Sequence, residues 1–228
     1  METAGLVEYF VQIYFTCFFL VFVMAAIMSR LPPLRGKKDE FDNGRIQTAE
    51  ERKESKVPFG PKMLTVGADR AAKRAHISGS IPQKLIYSIK DSFPVLPKVI
   101  TLLCSIGILG MIAAKYTPIF DIIGYLFYPL TLVLGVPDAM AAAVAIPTGV
   151  TEMFIPVLTI ADQVATLHIQ TRFFITAVSM LQIIFLAESV VVIMNTGLPV
   201  KFRELMLIFV QRTVISMPLV AIFMHLMF

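Results

Sequence analysis

Glu152 stands in the run Ala145-Ile146-Pro147-Thr148-Gly149-Val150-Thr151-Glu152-Met153-Phe154-Ile155-Pro156, where prolines, a glycine, threonines and one carboxylate interrupt apolar sequence. Proline removes a backbone donor and clashes with the preceding turn, and glycine adds freedom, so no continuous helix is expected here. Broken backbone at membrane depth survives where protein or a water-filled cavity satisfies the freed groups. An ionisable side chain at such a break marks a functional site. With Thr148 or Thr151 as a cap, Glu152 falls in the first turn of a second half-helix, where the helix dipole favours a carboxylate. The N–H and C=O groups at the two half-helix ends are then free to hold a solute or ion. The alternative is that Glu152 satisfies those N–H groups itself and nothing binds.

A second set of polar residues lies further along. If the last two apolar segments form a hairpin about Pro199, Glu188 and Arg212 come within about 3 Å of the same depth at 1.5 Å rise per residue. Pairing relieves much of the cost of two such charges, so these side chains are expected to face each other or share a polar cavity. Asn195 shares the face of Glu188 and Ser216 that of Arg212; Gln182 and Gln211 add to the stripe. The alternative is a pair that locks two helices together. The substrate-binding set read from the sequence is Thr148, Gly149, Thr151, Glu152, Glu188 and Ser189. Gln182, Asn195, Gln211, Arg212 and Ser216 support it.

Such groups need a membrane to make sense of them. Hydrophobic residues form 57% of the 228, above the roughly 45–50% of soluble domains, and mean hydropathy is +0.76. The fold class expected is all-α, a polytopic membrane protein with about six membrane segments that include a broken or hairpin helix pair. Charge is uneven: residues 29–92 hold 14 Lys and Arg against 8 Asp and Glu, about +6 of a net +4. A cytoplasmic loop beside anionic lipid explains that better than nucleic acid, for which aromatic interleaving and zinc-like spacing are lacking. Cys17 and Cys104 lie in apolar segments and form neither a disulfide framework nor a metal site. No metal and no cofactor is expected. Hydrolase elbows, phosphate-cradling loops and zinc-protease motifs are also missing, so no enzyme is expected.

In order, the chain reads as three parts. Residues 1–28 carry an N-terminal transmembrane helix, Leu6 to Met28, whose apolar run is too long for a signal-peptide core. Residues 29–92 form a basic cytoplasmic loop. Within it, 62–76 is either a weak helix or a loop kept solvated by its charges, and Leu85, Ile86, Ile89 and Phe93 share a face suited to a helix at the membrane surface. Residues 93–228 hold the remaining segments: 94–114, 118–136, the central broken segment from Pro137, 172–195 and 204–227. Segment 118–136 either crosses or turns back; crossing gives six spans with both termini outside and both basic loops inside.

Thr148-Gly149-Val150-Thr151-Glu152-Met153-Phe154, with Phe185-Leu186-Ala187-Glu188-Ser189 and Gln211-Arg212-Thr213, resembles the bacterial nucleoside-recognition, or gate, domain membrane proteins. These include relatives of spore maturation protein A and, more remotely, the gate regions of concentrative nucleoside transporters and ferrous-iron permeases. The likeness covers about residues 94–228. It implies a multi-pass protein of the bacterial inner membrane that recognises or gates a small polar solute. It also implies work with a second gate-domain protein or a homo-oligomer, with Thr151, Glu152, Glu188 and Ser189 at the site. The rival function is a non-transporting scaffold or assembly protein.

Overall fold

A computed structural model describes residues 1–37, 45–51, 60–77, 80–195, 198 and 200–228, and its regular elements are helices, with no strand among the described residues. Contacts divide the chain into one unit of Met1–Gly36 with Val99–Phe228 and another of Lys37–Lys98. The first helix, α1 (Phe10–Met28), has no charged residue in its 19 positions. It buries Ile13, Cys17, Leu20 and Met24, at helical spacing, and leaves Phe15, Phe18, Phe19 and Phe22 exposed. A helix apolar on every face belongs in a hydrophobic surround.

The Lys37–Lys98 unit holds α2 (Pro61–Ile77) and α3 (Ile81–Ser92). Both helices expected from the sequence form, and the weaker one carries an Asp69–Lys73 ion pair of 2.9 Å one turn apart. The Asn-Gly pair at 43–44 and Phe59, residues of the type that break a helix or turn a loop, lie outside the described residues.

The larger unit continues with α4 (Val95–Tyr116, from Val99), α5 (Ile119–Val133), α6 (Ala139–Thr148) and α7 (Ile155–Thr159). It closes with α8 (Ile169–Gln182), a π-helical turn at Leu186–Val190, α9 (Val191–Asn195) and α10 (Phe202–Met227). Val7–Met28, Val99–Tyr116, Ile169–Val190 and Phe202–Met227 are long and apolar enough to cross a membrane. Helices α5 and α6 are not: at 1.5 Å per residue they run about 22 and 15 Å against a hydrocarbon core of about 30 Å. They pack along each other as a hairpin. Its turn is built on Gly135 at φ +70°, a left-handed conformation that suits glycine. His225 Nε2, near the end of α10, lies 2.8 Å from the Leu134 carbonyl at the end of α5.

The core lies where α1, α8 and α10 meet the hairpin, around Phe173, Phe174, Ile175, Leu181, Met217 and Met224. Helix directions follow from their end contacts. Tyr9 and Phe173 both pack against the Phe228 ring, tilted and edge-on with centroids 5.1 and 5.6 Å from it, so the starts of α1 and α8 meet the end of α10. Beyond the other end of α1, Gln211 Nε2 donates to the Pro32 carbonyl at 2.9 Å. Both termini therefore lie at one end of the bundle. The first basic residues after α1, Arg30 and Arg35, lie at the other.

Candidate functional site

The central helix breaks where its residue types require. After Thr148, the amides of Gly149, Val150 and Thr151 bond three residues back, to the carbonyls of Ile146, Pro147 and Thr148 at 3.1–3.2 Å. The chain tightens, turns and resumes as α7, with Pro156 in its first turn, where the missing donor costs nothing. The threonines do not cap that second half: Thr148 Oγ1 donates to the Ala145 carbonyl at 2.6 Å and Thr151 Oγ1 to that of Thr148 at 2.7 Å. Hydroxyls near a helix end bond its own carbonyls readily, which competes with capping the next element. Glu152 bonds just ahead of that half: its Oε2 accepts the N–H of Phe154, the residue before α7, at 2.7 Å. The expected second half from about Thr151 to Ile160 is thus a single short turn, Ile155–Thr159.

A second break was not expected. The sequence reads as one span over 172–195, yet α8 ends at Gln182 and Ile183 takes φ +62°. The Ile184 N–H bonds to the Gln182 carbonyl at 2.7 Å, a γ-turn of the strained hand. A β-branched residue held there costs on the order of 1–3 kcal/mol and persists when its surroundings fix it.

The surroundings are the first break and α10. The Leu186 N–H donates to the Val150 carbonyl at 2.8 Å and the Ala187 N–H to that of Thr151 at 3.2 Å, so the two breaks are bonded main chain to main chain. Arg212 closes the other side. Its Nη2 donates to the Leu181 carbonyl at 2.8 Å, and its Nε lies 3.2 and 3.1 Å from the carbonyls of Leu181 and Gln182. Both carbonyls lie at the end of α8, and that of Gln182 also accepts the Ile184 N–H. Gln182, fully buried, donates through Nε2 to the Ile146 carbonyl at 3.0 Å and to Thr213 Oγ1 at 3.1 Å. It ties α6, α8 and α10 together at one point. A Cβ on Gly149 would meet its Oε1 at 1.9 Å, so this position has no room for a side chain. On α4, a Cβ on Gly110 would meet Thr151 Cβ at 2.7 Å, so the small residue lets α4 come close to the break.

The expected Glu188–Arg212 pair does not form. Among the described residues no ion pair joins them, Glu188 is exposed, and Arg212 spends its donors on carbonyls. The depth estimate assumed a continuous helix through 188; the break at Ile183 resets the register. Ser189 Oγ donates to the Ile183 carbonyl and braces the turn. Ser216 Oγ donates to the Thr213 carbonyl at 3.0 Å, inside its own helix. Gln211 holds Pro32 instead of facing the breaks. Asn195 ends α9, and its side chain lies outside the described residues.

Glu152 lies between two cavities. One of about 540 Å³ is lined by Phe10, Met153, Val157, Thr176, Ser179 and Met180 with Glu152. The other, of about 390 Å³, faces α4 at Cys104, Gly107 and Met111. Glu152, Phe154 and Leu158 border both. No group of three or more His, Cys, Asp or Glu that could hold a metal occurs among the described residues.

At the end of the bundle that carries the termini, Asp138 precedes α6 and its Oδ2 accepts the His168 N–H at 2.8 Å, with His168 Nδ1 3.1 Å from Oδ1. Its own N–H donates to Thr171 Oγ1 at 3.1 Å. Desolvation pushes the Asp138 carboxyl up, but the His168 main chain and ring and the Thr171 hydroxyl outweigh it and hold the group below the ordinary aspartate range. Arg172 Nη1 donates to the Ala4 carbonyl at 3.1 Å and pins the first residues to α8.

No family model matches the chain, and no solved structure matches it. An uncharacterized protein of Alkalihalophilus pseudofirmus is 30% identical over 224 residues, 98% of this chain and 47% of that protein. The chain spans about half the length of this curated relative. With four helices of membrane-crossing length and apolarity, the class is set. This is a helical membrane protein.

Proposed function

We propose that the chain is a membrane transport component of gate-domain type, in which a small solute is recognised at the paired breaks beside Glu152. One observation carries the reading: two interrupted helices bonded to each other through Val150, Thr151, Leu186 and Ala187, with a carboxylate at their junction open to cavities on either side. Broken backbone at membrane depth is the device by which transporters build a site. The proposed topology counts four crossings, one for each helix long and apolar enough to span. Both termini then lie outside and the basic residues after α1 inside the cytoplasm of a bacterial inner membrane. Half a transporter needs a second half. A related gate-domain chain or a second copy supplies it, in keeping with a relative whose match to this chain covers 47% of its length. No cofactor and no enzymatic step enter this reading.

The test is solute uptake into proteoliposomes holding the chain and its partner. Glu152→Gln at normal expression abolishes uptake on this account, and unchanged uptake removes Glu152 from the mechanism.

A scaffold role is favoured by a different observation. The hydroxyls of Thr148, Thr151 and Ser216 are satisfied by carbonyls three residues back, while Glu188 is exposed and free to meet a partner. In that case Glu188→Gln breaks co-purification with the partner and the wild type moves no solute.

A further inference from the structure

We infer that α3 docks flat on an anionic bilayer surface, held by one apolar face and by the basic residues around it, whichever way the transport reading falls. At 3.6 residues per turn, Leu85, Ile86, Ile89 and Phe93 fall within an arc of about 100°. Phe93 lies just past α3 and keeps a helical backbone. Lys90 borders the arc, while Lys84, Tyr87 and Asp91 lie opposite. The four apolar side chains are 56–71% exposed. A contiguous apolar strip left open in this way marks a surface made to meet something apolar.

Length and connectivity select lipid as that partner. With 12 residues, α3 runs about 18 Å, too short to cross a hydrocarbon core of about 30 Å. An amphipathic helix of this kind lies in the interface instead. The chain also ties it there. Phe93 stands six residues before Val99, where a segment of membrane-crossing length and apolarity begins. Even a fully extended chain keeps the strip within about 20 Å of that point. Pro94 offers no N–H and cannot continue α3 as one rod, and the chain turns at 93–94, so α3 is free to lie flat while α4 crosses. Charge then names the lipid. Residues 61–92 hold six Lys and Arg against two Asp. Arg70, Lys73 and Arg74 crowd one stretch of α2, all exposed and in the same unit as α3. Each basic group near anionic headgroups strengthens binding about fivefold. Lys90, on its long stem, reaches those headgroups from the edge of a buried strip.

The test places the full chain in nanodiscs of phosphatidylcholine, alone or mixed with phosphatidylglycerol, and reads depth by fluorescence. The chain has no tryptophan, so Ile89→Trp and Tyr87→Trp each add a single reporter at an exposed position, on the strip and opposite it. In the mixed bilayer, brominated acyl chains should quench Ile89→Trp at least about threefold more than Tyr87→Trp. Leaving out phosphatidylglycerol, or raising salt, should cut that difference by about half or more. On the unaltered chain, trypsin should cut after Lys84 and Lys90 about tenfold more slowly in the mixed bilayer than in phosphatidylcholine alone. Equal quenching of the two reporters, or cleavage indifferent to the bilayer, overturns the docking. Quenching as strong without phosphatidylglycerol overturns the anionic surface as partner. Protection by added polyglutamate and not by phosphatidylglycerol assigns the basic helices to an acidic protein and overturns the inference as well.

Discussion

The two breaks look alike in space and differ in cause. At 147–156 the chain carries its own breakers: Pro147 falls in the last turn of α6, Gly149 follows that helix, and Pro156 sits in the first turn of α7. At 183–185 the residues are Ile-Ile-Phe, with no proline or glycine, and Ile183 is strained at φ +62°. That break is imposed from outside, by Arg212 on the carbonyls of Leu181 and Gln182 and by the carbonyls of Val150 and Thr151 on the amides beyond. A locally encoded break survives the loss of a neighbour. An imposed one does not, and this asymmetry is open to experiment.

The largest effect is expected at Arg212. Arg212→Gln leaves the end of α8 without its donors, at about 3 kcal/mol, since losing a charged hydrogen-bond partner strands buried carbonyls. Thermal unfolding in mild detergent measures it; a variant as stable as the wild type shows that α10 does not hold the second break. Next comes Gly149→Ala, where the new methyl drives Gln182 Oε1 away, at about 2 kcal/mol. Adding Gln182→Ala should recover part of that loss, a coupling that a double-mutant cycle reads directly. Ile183→Gly has the opposite sign: relief of the strained φ should stabilise the protein by about 1 kcal/mol. Destabilisation there contradicts an imposed conformation.

The smallest effect lies away from both breaks, at Asp138. Its folded-state carboxyl is held below the ordinary value of about 3.9, so its contribution is complete above that pH and is lost as pH falls through the depressed folded value. Asp138→Asn should therefore flatten the acid limb of the stability curve below about pH 4 and leave neutral-pH uptake unchanged.

These causes also explain what the sequence disclosed. Pro147, Gly149 and Pro156 act locally, so the first break, the helix before it and the placement of Glu152 are visible in the residues alone. The apolar runs of α1, α4 and α10 are equally plain. The second break was hidden because the groups that impose it, Arg212, Val150 and Thr151, lie about 30 residues away along the chain. A signal did exist: Gln182, Glu188 and Ser189 crowd an otherwise apolar segment at the depth where Arg212 needs partners. Pairing Arg212 with Glu188 was the natural reading because two charges attract, but carbonyls freed by a broken helix compete for the same guanidinium. The threonines misled for a related reason, since each hydroxyl found an acceptor within its own turn before it could cap the next.

The account stands on Glu152 lying at a wet junction of two broken helices. The direct measurement is thiol labelling of Glu152→Cys in intact vesicles, with Cys17 and Cys104 replaced by Ser, using a charged, membrane-impermeant reagent. The account predicts labelling within minutes. Labelling by a lipid-soluble maleimide alone, with the charged reagent excluded from both sides, would contradict it.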